Sequence, residues 1–364
     1  MQRKIRVVIY GGKVGKGEIA LGGHLWLSKV AEELKYYKDI EVIRLPGPMV
    51  GKNRIKNIVN AYLEGLKVLR MKPDAIIIDA GKDGDAAMAF LHTFISRKSR
   101  VYFPFHHYEP MQVGKHSNLI SYVFAKLLLI ITNKLNEKLW REASALFVVS
   151  NTMKTEISRK LRISPDKLVL TSSSIEIYEN TFSRTTKDID FLCIGRIGKF
   201  SYLVDIWKGI RRIKPNANFH MAGIGRDDPI VNELENIGNF KHHGVVSEEE
   251  KVKLFKSSKV FIFPSVYEGF GIAVAEALSY GLPVVAWNLP VYDEIWGKSV
   301  ALRKVRLGDY NSFAKEAVFT LENFEELAKE AKIASKKLKT SWKDVGRIVH
   351  DTLLEQFKKG MSSK

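Results

Sequence analysis

The sequence predicts an α/β protein of two doubly wound domains, each a parallel sheet wrapped by helices. Short β-branched runs alternate with helix-period segments, the pattern of right-handed β-α-β crossovers. The alternation pauses at a Ser172-Ser173-Ser174 run and restarts at residue 190. The chain has 364 residues, which accommodates two domains of about 150–200 residues each.

The elements follow in order. IRVVIYGG (5–12) is a strand, because an apolar β-branched run ending in glycines suits a buried parallel sheet. A helix follows, with Leu25, Leu27, Val30, Ala31 and Leu34 on its apolar face. EVIRL (41–45), DAIIIDA (74–80), VYFPF (101–105) and ALFVVS (145–150) are further strands, with helices expected near 54–70, 84–95 and 117–140. The second series is DFLCIG (190–195), FHMAG (219–223), FKHHG (240–244), KVFIFP (259–264) and PVVAW (283–287). The boundaries are therefore 1–174 for the first Rossmann-like domain and 187–320 for the second. From Asn323 to Lys359 the sequence is helical, with Trp342, Val345, Ile348 and Leu353 or Leu354 on one stripe. That segment either closes the second domain or crosses back to the first, and spacing alone does not choose.

Charge and composition narrow the function. Lys and Arg outnumber Asp and Glu by 58 to 40, a net charge of +18. Residues 1–180 hold 29 basic against 17 acidic side chains, a net of +12, and the remainder 29 against 23, a net of +6. A basic surface draws phosphate-rich partners: nucleic acid, anionic lipid or phosphorylated small molecules. The single cysteine, Cys193, excludes an internal disulfide framework and points to a reducing compartment. MQRKIRVVIYGG carries no cleavage-site pattern, and no apolar run approaches the about 20 residues that span a bilayer. The expectation is a cytoplasmic protein, peripheral on the cytoplasmic membrane face.

SVYEGFGIAVAEALSYGLPVV (265–285) carries the chemistry. A strand ends, Glu268 follows in a loop with Gly269 and Gly271, and a helix begins that holds Glu276 in its second turn. The glycines permit close backbone approach, and the free amides from Phe270 to Ala273 form an anion site at the helix N-terminus. Carboxylates accept hydrogen bonds from paired sugar hydroxyls. An anion held between two polyols describes a nucleotide sugar. The plainer alternative makes Glu276 a helix-dipole partner and Glu268 a solvated loop acid.

Glu-Gly-Phe-Gly, with a second Glu eight positions after the first and Ala-Leu-x-x-Gly-x-Pro-Val beyond it, resembles the retaining family-4 glycosyltransferases of GT-B fold. The resemblance is strongest over 190–297. It implies two facing Rossmann-like domains, with Glu268 on the donor-sugar hydroxyls, Glu276 on the nucleotide ribose, and Phe270, Gly271, Ile272 and Ala273 cradling the diphosphate. Gly195-Arg196 ends a strand as the family's Gly-Arg does, so Arg196 grips the diphosphate. Lys199 is the second diphosphate cation, with Lys208-Gly209 as the fallback because Phe200 replaces the family's glycine. Gly223-Ile224-Gly225 and Gly244-Val245-Val246 resemble the nucleotide-side loops, where Gly225 and Val245 meet the base. Glu294, in PVYDEIWG, matches a further family glutamate.

In the first domain Gly22 and Gly23 match paired glycines facing the donor phosphate. His107, in His107-Tyr108-x-Pro110, resembles the His-Tyr-Pro of dolichol- or polyprenyl-linked mannosyltransferases and is favoured over His106 as the histidine against the donor sugar. The implied reaction transfers a sugar from a donor such as GDP-mannose, UDP-glucose or UDP-GlcNAc to a lipid-linked glycan, in glycan assembly or protein glycosylation, without a metal or other cofactor. The apolar 117–140 segment, with Lys115, Lys126, Lys134 and Lys138 about it, is either a membrane-interface helix or a core helix. Anionic lipid is the expected surface partner.

Rival signals are weaker. Asp83-Gly84-Asp85 imitates a metal motif of a different glycosyltransferase fold, but Asp85 also suits a helix cap. His242 and His243 are adjacent on a strand and point to opposite faces, so they do not form a ligand pair. A nucleic-acid binder fits the charge but lacks any recognition motif or aromatic ladder. A nucleotide-sugar epimerase of related fold is the remaining alternative.

Overall fold

The computed structural model of the chain describes residues 3–11, 22–45, 54–79, 89, 91–96, 99–106, 119–176, 186–196, 200, 202–223, 225 and 227–362. The described residues fall into two compact units: those up to 173 together with 341–362, and those from 174 to 340. Each unit holds a six-stranded sheet that is parallel throughout.

The first sheet runs β2-β1-β3-β4-β5-β6, from β1 (Ile5–Tyr10), β2 (Ile40–Leu45), β3 (Ala75–Ile78), β4 (Arg100–Phe105), β5 (Ala145–Val148) and β6 (Leu168–Leu170). β3 and β5 are buried at every position, as strands covered on both faces must be. The chain reverses direction across the sheet between β1 and β3. Gly11 follows β1 there with φ +112°, and a Cβ on it would lie 3.1 Å from the Asp79 Cβ. Helices α1 (Gly22–Leu34), α2 (Arg54–Arg70), α3 (Leu119–Glu142) and α4 (Asn151–Leu161) complete the winding. Ser150 caps α4 by accepting from the Met153 amide.

The second sheet runs β12-β11-β10-β7-β8-β9, from β7 (Ile189–Ile194), β8 (Phe219–Ala222), β9 (Phe240–His242), β10 (Ser258–Phe263), β11 (Val284–Trp287) and β12 (Leu302–Val305). In order of appearance this is 3-2-1-4-5-6, with the switch between β7 and β10. The helices are α5 (Leu203–Ile213), α6 (Pro229–Ile237), α7 (Glu248–Ser257), α8 (Ile272–Ser279), α9 (Pro290–Trp296), α10 (Tyr310–Glu322) and α11 (Phe324–Ser335). Trp207 on α5 packs against Phe191 and Phe219 of the sheet. Gly209 lets α10 approach, since a Cβ there would meet the Ala314 Cβ at 2.7 Å. Ser247 and Glu250 close a capping box on α7.

The α/β, doubly wound expectation holds in both units. Two strands escape the periodicity, β6 and β12. Both are edge strands of three or four residues, and β12 has charged Arg303 and Lys304 together between Leu302 and Val305. An edge needs only one partner, so its apolar signal is short. Of the helix expected at 84–95, Leu91–Ser96 forms π-type turns, and most of the remainder lies outside the described residues.

The segment 323–359 is two helices, α11 and α12 (Trp342–Ser362), broken at 336–341, where Ser341 and Asp344 cap the second. α12 belongs to the first unit and packs on α1. Its buried stripe is Trp342, Val345, Val349 and Leu353, one turn apart, while Ile348 is half-buried. Gly346 permits the approach, because a Cβ there would lie 2.5 Å from the Glu33 Cβ. His350 stacks on Tyr37 at 3.7 Å and places Nε2 3.1 Å from Asp39.

Candidate active site

β7 and β10 are neighbours across the switch of the second sheet. In open parallel sheets, ligands bind beyond the carboxyl ends of the strands at this point. β7 ends in Gly195-Arg196, and β10 ends in the loop that carries Ser265, Glu268 and Gly271. The two sequence motifs therefore leave adjacent strands at the same end.

Three neighbouring strands, β7, β8 and β9, each end in a glycine: 195, 223 and 244. The Gly195 amide donates to the Ala222 carbonyl at 2.9 Å, and the Gly223 amide to the Gly244 carbonyl at 2.7 Å. Only glycine fits at 223, where a Cβ would lie 1.8 Å from the Gly195 carbonyl oxygen at φ +134°. Beyond this row, Gly225 has φ +116° and Val245 is exposed. Arg196 is half-buried and, among the described residues, makes no hydrogen bond or ion pair. Lys199 lies outside the described residues. Phe200 beside it is buried, stacks edge-on to Phe263 at 5.5 Å and bridges to Ser265. Its ring fills the space beside Gly195. Lys208 is exposed in the middle of α5.

On the other side of the switch, Gly271 takes φ +84° and opens α8, and no side chain caps that end. The amides of Ile272, Ala273 and Val274 are thus the orphan donors of a helix N-terminus. Phe270 is buried and anchors the loop, while Ile272 and Ala273 are half-buried. Ser265 Oγ donates to Glu268 Oε1 at 2.7 Å, fixing the carboxylate.

Glu276 is nearly enclosed and bonded to a lysine. Lys251 Nζ donates to Glu276 Oε1 at 2.8 Å and lies 2.7 Å from Glu248 Oε2. Burial pushes the Glu276 carboxyl above its usual range, against the pull of Lys251. Burial opposes the charge on Lys251, yet the two carboxylates hold its pKa above the ordinary lysine value. Because the ion pair uses Oε1, Oε2 remains to accept from a ligand.

Tyr292, on α9, is fully buried behind this loop. A Cβ on Gly271 would lie 3.0 Å from its Cε1. Burial, and secondarily the Glu268 charge, push its phenol pKa up, so it stays protonated.

His243 Nε2 meets His220 Nδ1 at 3.2 Å. Burial and then the neighbouring His220 push the His243 pKa down to about 4. Among the described residues, no group of three or more His, Cys, Asp or Glu side chains is arranged to hold a metal ion. Cys193 is buried and its thiol pKa is raised by burial, which leaves it unreactive.

In the first unit, Gly22 and Gly23 open α1. His107, Asp83, Asp85 and Lys115 lie outside the described residues. His106 packs edge-on against Trp26 at 5.7 Å. Sequence reasoning missed Ser265, Lys251 and Tyr292. Ser265 sits three residues before Glu268, but a serine beside a turn carries no distinct signal. Lys251 follows Glu248-Glu249-Glu250 and reads as an ordinary surface helix residue. Tyr292 reads as one more core aromatic.

Residues 174–337 match the family model described as glycosyl transferases group 1. Over this segment the chain is similar to the group 1 glycosyl transferases, and the similarity supports a transferase. The segment contains the Gly195-Arg196 strand end, the glycine row and both acids. O-antigen chain mannosyltransferase B of Escherichia coli is 34% identical over 20% of this chain and 20% of its own length. The match thus spans about a fifth of that relative. Alpha-monoglucosyldiacylglycerol synthase of Acholeplasma laidlawii is 22% identical over 76% of this chain and 75% of its own. Among solved structures, the sucrose-phosphate synthase (tll1590) of Thermosynechococcus elongatus has a TM-score of 0.72 at 14% identity, covering 100% of both chains. Its likeness to the transferase domain and the preceding unit establishes the GT-B fold class.

Proposed function

We propose that the protein is a retaining glycosyltransferase that moves a sugar from a nucleotide diphosphate to a lipid-linked acceptor. The observation that carries this reading is the adjacency of β7 and β10, which brings Arg196 and the Glu268 loop to one switch point. The diphosphate sits on the α8 amides with Arg196 and Lys199 as its cations. Glu268, held by Ser265, accepts hydrogen bonds from the sugar hydroxyls. Glu276 accepts from the ribose. Charge builds on the leaving diphosphate as the glycosidic bond breaks, and fixed cations and amides stabilise it there. Retention then follows from attack on the face the diphosphate leaves, with a phosphate oxygen taking the acceptor's proton. The family match and the relatives' names favour transfer over epimerisation.

The lipid acceptor is supported by the surface of the first unit. On α2, Val59, Tyr62, Leu63 and Leu66 are exposed at helical spacing. On α3, Val123, Ile130 and Ile131 are exposed among Lys126, Lys134 and Lys138. No helix among the described residues is long and apolar enough to cross a membrane. Apolar stripes with interleaved lysines suit the surface of an anionic bilayer, where each basic residue adds about 1 kcal/mol. One similar protein, the alpha-monoglucosyldiacylglycerol synthase of Acholeplasma laidlawii, is named for a glycolipid product. On this reading the reaction takes place at the cytoplasmic membrane face.

A panel of nucleotide sugars, scored by thermal shift and then by donor hydrolysis, tests the donor reading, because a true donor stabilises by mass action. Failure of every nucleotide sugar to raise Tm would remove it. Flotation with phosphatidylserine-containing vesicles tests the docking face. Ile130→Asp with Ile131→Asp is expected to abolish flotation while leaving donor binding intact.

A further inference from the structure

We infer that Tyr292 is a donor-site residue whose hydroxyl hydrogen bonds the anionic group seated at the N-terminus of α8. This rests on the donor reading above. Three observations carry it. Tyr292 is fully buried, and its Oη has no hydrogen-bond partner among the described residues. A buried hydroxyl left unsatisfied is costly, and such a group in a native fold marks a place where something else satisfies it. The ring lies against Gly271, the cap of α8, where a Cβ would sit 3.0 Å from Cε1 and 3.8 Å from Oη. The hydroxyl therefore lies beside the residue that caps α8, a helix end whose first amides have no side-chain cap.

The chemistry of the neighbours decides the direction of the bond. The phenol is kept protonated by its surroundings, so it acts as a donor. Glu268 Oε1 already accepts from Ser265. A phosphate oxygen on the α8 amides is an acceptor of the right charge beside Oη. Tyr292 thus adds a neutral side-chain hydroxyl to a cradle of backbone amides and the cations Arg196 and Lys199, and it favours a diphosphate over a ligand that leaves this position neutral.

Tyr292→Phe keeps the ring and removes only the hydroxyl. Titration calorimetry with inorganic pyrophosphate, UDP and GDP, and with uridine and guanosine, reads the effect, alongside melting without ligand. The expected result is an unchanged or higher Tm for the variant, because an unsatisfied buried group is gone. Pyrophosphate and the tighter-binding nucleoside diphosphate should bind about tenfold more weakly, as for loss of a hydrogen bond to a charged acceptor. The unphosphorylated nucleoside should be unaffected. Unchanged diphosphate affinity overturns the inference, as does a fall in turnover alone, which would mean that Tyr292 acts through Glu268. Arg196→Ala separates the two failures: if it weakens diphosphate binding and Tyr292→Phe does not, the donor site stands and the tyrosine role falls. If the wild-type protein binds no diphosphate, both fall together.

Discussion

Lys251→Met puts the Glu276 assignment under direct strain. Lys251 and Glu276 have side chains only 9% and 13% accessible, and their atoms meet at 2.8 Å. Removing the cation leaves an enclosed carboxylate without a partner, which costs about 3–5 kcal/mol. For a domain of about 150–250 residues each kcal/mol moves Tm by roughly 2–4 °C, so the melting point should fall by about 6–20 °C. Glu276→Gln should cost less, about 1–2 kcal/mol, because Lys251 keeps Glu248 at 2.7 Å. The asymmetry is the diagnostic feature.

The pH dependence has a fixed sign. Burial raises the folded pKa of Glu276 above its unfolded value, so the folded state holds a proton that the unfolded state has released. Stability from this group therefore rises as pH falls from the raised value towards the unfolded value of about 4.3. Without Lys251 the rise is larger, and the penalty of Lys251→Met should shrink as pH falls towards that unfolded value. Urea unfolding at several pH values, followed by fluorescence, measures it. A variant that melts within a degree or two of the parent, or whose penalty ignores pH, would refute the enclosed pair.

Four further outcomes follow. Glu268→Gln and Arg196→Ala should each lower transfer at least tenfold with unchanged circular dichroism, and near-native turnover in both would end the donor reading. Ser265→Ala removes the hydroxyl that donates to Glu268 and should lower turnover several-fold in the same assay, with Tm nearly unchanged. Gly223→Ala forces a Cβ to 1.8 Å from the Gly195 carbonyl oxygen, so it should destabilise the second unit by more than about 4 kcal/mol in denaturant unfolding. His243 has a folded pKa of about 4, below its unfolded value, so its neutral packing loses stability as pH falls from about 6.5 through 4. His243→Gln should flatten that acid limb of the urea midpoint.

Much of this was legible in the chain itself. Apolar β-branched runs set the inner strands, because a strand covered on both faces must be apolar along its length, while β2 and β9 were legible at the edges from their place in the alternation. Glu268, Gly271 and Glu276 declare a loop and a helix entrance through their types and spacing, since an uncapped glycine turn before an apolar helix has few other uses. The edge strands β6 and β12 left little trace, β6 being only three residues long and β12 having two charged residues at its centre.

Sequence by itself determined which segments pair their faces with a core, and which residues wait at strand ends. Tertiary structure decided which ends are neighbours. Periodicity records burial one residue at a time, whereas strand order is a long-range property, so the junction of Arg196 with the Glu268 loop emerged only when β10 was seen beside β7. The same holds for Lys251 against Glu276, for Tyr292 under Gly271, and for α12 on α1. Each joins residues far apart or unremarkable in type, held together because burial leaves a charge, a hydroxyl or an apolar stripe no other partner.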